Sequence, residues 1–413
     1  SGAGSVTVDA PGKTVRLVLN GLTLTNDDSA AITLNKTAEA SLIAAAGTTN
    51  TVADTEGSND ENAAVKVKSG AALAIGGTGT LTVDGNAKNG IKGAADAVIT
   101  VAEVKLNINA ANDGLSCDDE LNITGGTLSI TAGGDAVKAS PDTGDTENPD
   151  TTSLGNVTIS GGTLTLATGD DGVHADNDLV IGTKGASSTT TPRINITASY
   201  EGLEGTTVTV YSGDIDVVAS DDGVNAASST LGERSDKYAI SIAGGDLYID
   251  AGSDGLDSNN DINITGGKVE VYGADAMMDA AIDYDGTFTL SGGTLFGAGM
   301  EPSAGTQAYI AVGETSPSGG GMGGGPNGQG GGQGMTPPGD ANGSADGNRP
   351  TPPNFSGNTS TDGTFTPPTK PSGGKADGNL PNRESALGIK EGSVITVQDS
   401  SGKTLYTATA LGS

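Results

Sequence analysis

One short phrase returns through residues 89–279, and its return leaves few folds open to the chain. DGVHA at 171–175 has close counterparts in DGLSC at 113–117, DGVNA at 222–226 and DGLDS at 254–258. Looser copies begin at Asn89, Asp135, Glu201 and Asp275. With the polar inserts set aside, the repeat is roughly 21–22 residues, inside the range that marks a solenoid.

Each repeat has the pattern of one coil of backbone. With the acid as position zero, alternating aliphatics stand at −7 and −5: Leu106/Ile108, Leu128/Ile130, Leu164/Leu166, Ile194/Ile196, Ile215/Val217 and Leu247/Ile249. Position +2 is aliphatic or Met, ending with Met277, and position +4 is small, as in Cys117, Ala139 and Ala175. Alternation returns at +8 and +10, as in Leu121/Ile123, Leu179/Ile181 and Ile262/Ile264, and then a Gly-Gly pair follows. Alternation with period two predicts strands with one buried face. The glycines supply corners. Two or three short strands per repeat predict an all-β solenoid, a parallel β-helix. A sandwich would place turns every 8–12 residues without returning the same column identities.

Such a fold suits a chain with no Trp, 4 Phe and 8 Tyr, because stacked aliphatic ladders need no large aromatic core. The net charge of −31 argues against a nucleic-acid partner, since phosphates are repelled. It points instead to a solubilising surface or to carboxylates arranged for hard cations. Cys117, the sole cysteine, falls in the small inner column and reads as a buried inert thiol. No apolar run is long enough to insert into a membrane. The opening SGAGSV together with the Asp/Thr/Gly-rich composition predicts an exported protein, extracellular or at the cell surface, whose leader has been removed.

Residues 1–312 are expected to form the β-helix, its first coils and N-terminal cap lying within residues 1–85. Inserts at 140–153 and 227–237 leave at the same corner, whereas 182–192 replaces a Gly-Gly corner. Residues 313–385 are Gly/Pro-rich and predict a tether. Residues 386–413 predict a β-hairpin, with a turn at 399–402. A lone hairpin is unstable, so it is expected to dock on a solenoid end, its own or a neighbour's, which allows a homo-oligomer or filament.

The chemistry lies in the acid columns. Position zero holds Asn89, Asp113, Asp135, Asp171, Glu201, Asp222, Asp254 and Asp275. Bare carboxylates stacked about 4.8 Å apart repel by roughly 3–4 kcal/mol at an effective dielectric of 20. Further acids follow close by: Asp118 and Asp119; Asp170, Asp176 and Asp178; Glu204; Asp221; Asp257 and Asp261; Asp279. All seventeen acids named here are candidate metal ligands, and several calcium ions are the expected cofactor, since Ca²⁺ takes six to eight oxygens. Zinc does not suit one His and one Cys. The alternative is that each Asp-Gly makes a turn, its side chain bonding nearby amides, a role Asn89 fills equally well. His174, at the variable +3 position, reads as solvent-facing. Neighbouring acids such as Asp170 and Asp171 are expected to diverge, so no catalytic carboxylate pair is predicted.

The phrases ITGGTL, SYEGLEG, SDDGVNA, GSDGLDSN and AIDYDGTFTLSGGTLFGAGM resemble a clostridial family of carbohydrate-binding β-helix surface proteins. The resemblance covers roughly residues 13–312 and 388–409. It implies a right-handed parallel β-helix of pectate-lyase shape, calcium at acidic turns, and non-catalytic binding of cellulose-like and acidic pectic polysaccharides. Asp113, Asp135, Asp171, Glu201, Asp222, Asp254 and Asp257 match the family's acids. The inserts and the Gly/Pro tract depart from its pattern.

The function expected from these features is extracellular, calcium-dependent binding of polysaccharide without cleavage. One alternative is a structural subunit of a surface fibre or biofilm matrix that assembles by strand addition. Another is a calcium-dependent polysaccharide lyase with Lys138, beside Asp135, as its base. Tyr200, Tyr211, Tyr238, Tyr248 and Tyr272 are available for glycan contact.

Overall fold

A computed structural model describes residues 2–298 apart from 36–38, 58–59, 142–153, 187–190, 229–230, 232–234 and 274–279. It also describes the strands Val394–Gln398 and Thr404–Thr409. Thirty strands pair in parallel as one continuous sheet wound into coils, and no helix occurs among the described residues. The fold is an all-β parallel β-helix.

Each coil carries three strands, and each strand pairs with its equivalent one coil away. Register follows the repeat closely. In the column after the acidic turn, Val6, Ile32, Val65, Ile91, Leu115, Val137, Val173, Leu203, Val224, Leu256 and Ile282 stack in order, which makes eleven coils. Leu81, Leu106, Leu128, Leu164, Ile194, Ile215, Leu247 and Val269 form a second ladder. Leu73, Ile99, Leu121, Val157, Leu179, Val208, Ile240 and Ile262 form the third. Apart from Val6, which is exposed in the first coil, these side chains point into one apolar core and are almost completely buried. Burying each aliphatic contributes about 1.5–3 kcal/mol, repeated coil after coil. Cys117 lies in this core and its Sγ donates to the Ala97 carbonyl at 3.2 Å. Burial pushes its thiol up to about 11, as expected of an inert residue.

Two kinds of glycine make the coil possible. At the Gly-Gly corner, Gly126 has φ +96°, and the strand Glu120–Ala132 runs through the corner with a shift of register. The glycine after each acid has another purpose. A Cβ on Gly223 would stand 2.2 Å from Ile249 Cγ2 and 2.6 Å from the Gly255 carbonyl oxygen. The coils approach too closely there for a side chain in that pose.

The stack is regular from strand Val6–Val8 onward, which already pairs with Ile32–Leu34, so the early segments include the expected first coils. One expectation needs correction. In the last coil Ile282 pairs with Leu256, so position zero belongs to Ala280, and Asp275 and Met277 do not take the places expected for them. A spacing of 26 residues, longer than the repeat, separates Asp254 from Ala280 and defeats the alignment. Asp275 and Asp279 themselves lie outside the described residues, as does the 313–385 tract.

Val394–Gln398 and Thr404–Thr409 pair antiparallel, the predicted hairpin. They belong to a compact unit distinct from the one that contains the coils. The expected docking of the hairpin is not among the described features.

Candidate functional site

The acid column is built on a hydrogen-bond ladder between coils. Asn89 Oδ1 accepts the amide of Asp113 at 3.1 Å, Asp113 Oδ1 that of Asp135 at 3.3 Å, and Asp135 Oδ1 that of Asp171 at 2.9 Å. Asp171 Oδ1 accepts the Glu201 amide at 3.3 Å, Asp222 Oδ1 the Asp254 amide at 2.9 Å, and Asp254 Oδ1 the Ala280 amide at 2.5 Å. These residues are buried, and one oxygen of each satisfies a backbone donor that would otherwise be orphaned. The turn chemistry therefore holds for the column, and the opening Asn89 needs no charge to take part.

What distinguishes the coils is the charge beside the ladder. The outward +3 column reads, in register, Lys66, Lys92, Ser116, Lys138, His174, Glu204, Asn225, Asp257 and Asp283. It is basic in its first half and acidic in its second. Lys92 Nζ lies 3.5 Å from Asp118 Oδ1, and Lys138 Nζ lies 2.6 Å from Asp135 Oδ2. His174 is not the solvent-facing residue expected. Its Nδ1 meets Asp171 Oδ2 at 3.1 Å and also Glu204 Oε2, while Nε2 meets Asp176 Oδ1 at 2.8 Å. Burial alone favours the neutral ring, but Glu204, then Asp171 and Asp176, outweigh it and raise the His174 pKa well above its ordinary value. The ring is an imidazolium at neutral pH, a cation supplied by the chain itself.

Burial, then Asp171, pushes the Asp135 carboxyl up to about 7, with Lys138 opposing. Burial also pushes Asp171 to about 7, with the His174 hydrogen bond opposing and Glu204 adding to the rise. Burial lowers Lys138, yet Asp135 and Asp113 overcome it and its pKa is raised. Carboxylate oxygens of Asp135, Asp170 and Asp171 lie within 4.8 Å of one another, so these acids converge where divergence was expected. They stand in a turn, where strand alternation does not apply.

Around Asn225 the balance differs. Asn225 Nδ2 donates to Glu201 Oε2 at 3.1 Å, while Asn225 Oδ1, on a residue only 8% exposed, has no hydrogen-bond partner among the described residues. Burial, then Glu204, Asp171 and Asp222, raise the Glu201 pKa well above its ordinary value, with the Asn225 hydrogen bond opposing. Burial pushes Asp257 up to about 8, and the charged neighbours that add to it are all acids: Asp222, Asp254, Asp283 and Asp285. Stacked carboxylates beside an orphaned buried carbonyl are hard oxygen donors, the ligand type Ca²⁺ takes. Glu201, Asp222, Asn225 and Asp257 are the oxygen donors such an ion would draw on, although among the described residues the acids and histidine whose ligand atoms already converge within 4.8 Å are Asp135/Asp170/Asp171 and Asp171/His174/Glu204. Asn225 escapes a search for acids, and only alignment of the repeats shows it between Glu204 and Asp257.

The remaining candidates have other work. Asp178 Oδ1 accepts from Thr207 Oγ1, and Asp261 Oδ1 accepts both the amide and the hydroxyl of Thr287. The carbonyl of Asp119 receives the amides of Gly155 and Asn156, and that of Asp221 receives those of Gly252 and Ser253. Both are backbone roles at corners.

A family profile described as carbohydrate-binding domain-containing protein matches residues 1–233 and 188–298. The chain belongs to this family. No curated protein matches it. Among solved structures it is similar to the polysaccharide lyase-like protein from C. thermocellum, in a gadolinium derivative. The two are 25% identical over 60% of this chain and 79% of that one, with a TM-score of 0.39. As a member of a carbohydrate-binding family the chain has a polysaccharide as its supported partner, and its matched residues take in both the His174 cluster and the Asn225 region.

Proposed function

We propose that the chain is an extracellular, non-catalytic polysaccharide-binding β-helix that holds calcium in the coils around Asn225. On this reading the ion joins the acidic protein to an acidic, pectic glycan. The observation that carries it is the buried Asn225 Oδ1, unpartnered beside a Glu201 and an Asp257 whose burial opposes their ionisation. A bound divalent ion supplies the positive charge that lets two sets of carboxylates, protein and glycan, share one place. The family assignment supports the glycan half of the proposal.

A lyase is disfavoured by the state of its best base. An abstracting base must be deprotonated, whereas Asp135 and Asp113 hold the proton on Lys138 more firmly than usual, and His174 is a cation clasped by three acids. A glycan array probed with calcium and with chelator tests the binding reading. Binding of polygalacturonate in calcium alone is expected, without the absorbance rise of unsaturated uronates. Equal binding in chelator would remove calcium from the mechanism.

A further inference from the structure

One lysine at the basic end of the outward +3 column stands outside the ion pairs that hold its neighbours. Lys66 lies on strand Ala63–Val67 between Val65 and Val67, both buried, so alternation turns its side chain outward, where it is half-buried. In register it has Thr33 on one side and Lys92 on the other. The other lysines of this face each have an acid. Lys68 Nζ meets Glu61 Oε1 at 2.5 Å, Lys92 Nζ meets Asp118 Oδ1 at 3.5 Å, and Lys138 Nζ meets Asp135 Oδ2 at 2.6 Å. The Lys66 side chain makes no ion pair or hydrogen bond among the described residues.

The repeat itself leaves Lys66 unpaired. Lys138 finds its acid three residues earlier, at position zero, a place held by Ala63 in the coil of Lys66. Lys92 reaches instead into the next coil, to Asp118, two residues past its aligned partner Ser116. Two residues past Lys92, the corresponding place for Lys66 holds Ala94. Both positions that could supply a carboxylate are therefore alanine. Like charges facing across adjacent strands disfavour each other's ionisation. Burial, then Lys92, lowers the Lys66 pKa; Asp118 and Glu61 oppose the fall, and Lys68 adds to it. Lys138 is the opposite case: burial lowers it, but Asp135 and Asp113 prevail and hold its proton.

An amine is a nucleophile only without its proton, and desolvation beside a second cation is how a lysine approaches that state near neutral pH. Carbonyl compounds are the electrophiles such an amine takes. We infer that Lys66 is a modification site for aldehydes, the open-chain form of reducing sugars among them. The neutral Nζ attacks the aldehyde carbon and a C–N bond forms. The carbinolamine then loses water and leaves an imine on Lys66. Both hydrogens of the amine depart with the carbonyl oxygen as that water, so nothing is oxidised or reduced. The paired lysines must first break an ion pair and give up a firmly held proton. This inference goes beyond glycan binding and rests neither on it nor on calcium.

The test treats the full chain with glyceraldehyde, the simplest sugar aldehyde, and follows mass addition by peptide mapping at early times. Cyanoborohydride is present only to trap the imine, at about pH 7. Each unit by which a pKa falls raises the neutral fraction about tenfold, but it also weakens the nucleophile, as it does for thiols, so the net gain is about threefold. Lys66 is therefore expected to be labelled about threefold or more faster than Lys68, Lys92 and Lys138. Lys92→Gln, which removes the facing charge, is expected to slow labelling of Lys66 and to leave Lys138 unchanged. Lys92→Arg keeps the charge and is expected to keep the wild-type rate, which separates electrostatics from mere exposure. Lys66→Arg should remove the adduct from its peptide at an unchanged melting temperature. Labelling of Lys66 no faster than that of Lys138, or a Lys66 rate indifferent to Lys92→Gln, overturns the assignment.

Discussion

Asn225 Nδ2 donates to Glu201 Oε2 at 3.1 Å, and this one bond leaves the amide's own oxygen buried without a partner. An unsatisfied buried carbonyl costs about 1–3 kcal/mol, which a cation held there would recover. Calcium is therefore expected to raise the melting temperature, by an amount equivalent to about 2.7 kcal/mol at a hundredfold excess over Kd. Asn225→Leu and Asp257→Asn should each blunt this response, whereas Asp28→Asn, at an exposed position, should not. Thermal melts in calcium and in chelator check it, and identical melts for the wild type would sink the calcium site.

The pH dependence of the cation-free protein follows from the raised carboxyls. Asp135 and Asp171 stand at about 7, Asp257 at about 8, and Glu201 is raised as well. An acid that holds its proton more tightly folded than unfolded stabilises the fold fully below its unfolded value, near 4. That contribution is lost as pH rises through the folded value. His174, also raised, acts with the same sign, its contribution lost only well above the ordinary histidine range. In chelator, the melting temperature should fall between about pH 4 and 8. Calcium, by replacing the lost protons, should flatten the decline. A melting temperature in chelator that is level or rising over that range contradicts the assignment.

The ladder of amides makes a separate claim. Asp113 Oδ1 accepts the Asp135 amide at 3.3 Å, in the same manner as Asn89 one coil earlier. Asp113→Asn keeps an acceptor and should change stability by less than about 1 kcal/mol, while Asp113→Ala orphans a buried donor and should cost about 1–3 kcal/mol. Denaturant melts of the two variants, compared at one pH, decide it. Equal losses would mean that charge matters there more than the hydrogen bond.

Close approach of the coils predicts a steric effect at Gly223. Alanine there meets Ile249 Cγ2 at 2.2 Å and the Gly255 carbonyl at 2.6 Å, so Gly223→Ala should cost about 1–3 kcal/mol through strain. Leu164→Ala, in the fully buried ladder, should cost about 2–5 kcal/mol by leaving a cavity. Urea titration of both measures the two costs. A neutral Gly223→Ala would show that the turn moves freely.

The sequence by itself determined the coil. Hydrophobic alternation and a repeated acidic turn are local patterns, and stacking identical turns leaves each column only one neighbour to pair with. The three ladders, the small inner corner with Cys117 and the acid column were therefore legible residue by residue. Only the tertiary structure decided what the acids do, because that depends on residues a full coil apart. Asp171 finds His174 three positions along its own chain, but Glu204 reaches the same ring from the next coil. Spacing hid the exchange of Asp275 for Ala280 in the last coil, since a longer connection shifts the count without disturbing the pairing. One ring contact was hidden too. Tyr248 and Tyr272 lie at different positions of their repeats, and winding is what brings their rings to 5.6 Å. Composition sets how much charge a coil must carry, but the distances between side chains, which decide whether that charge is paired, exist only once the chain is wound.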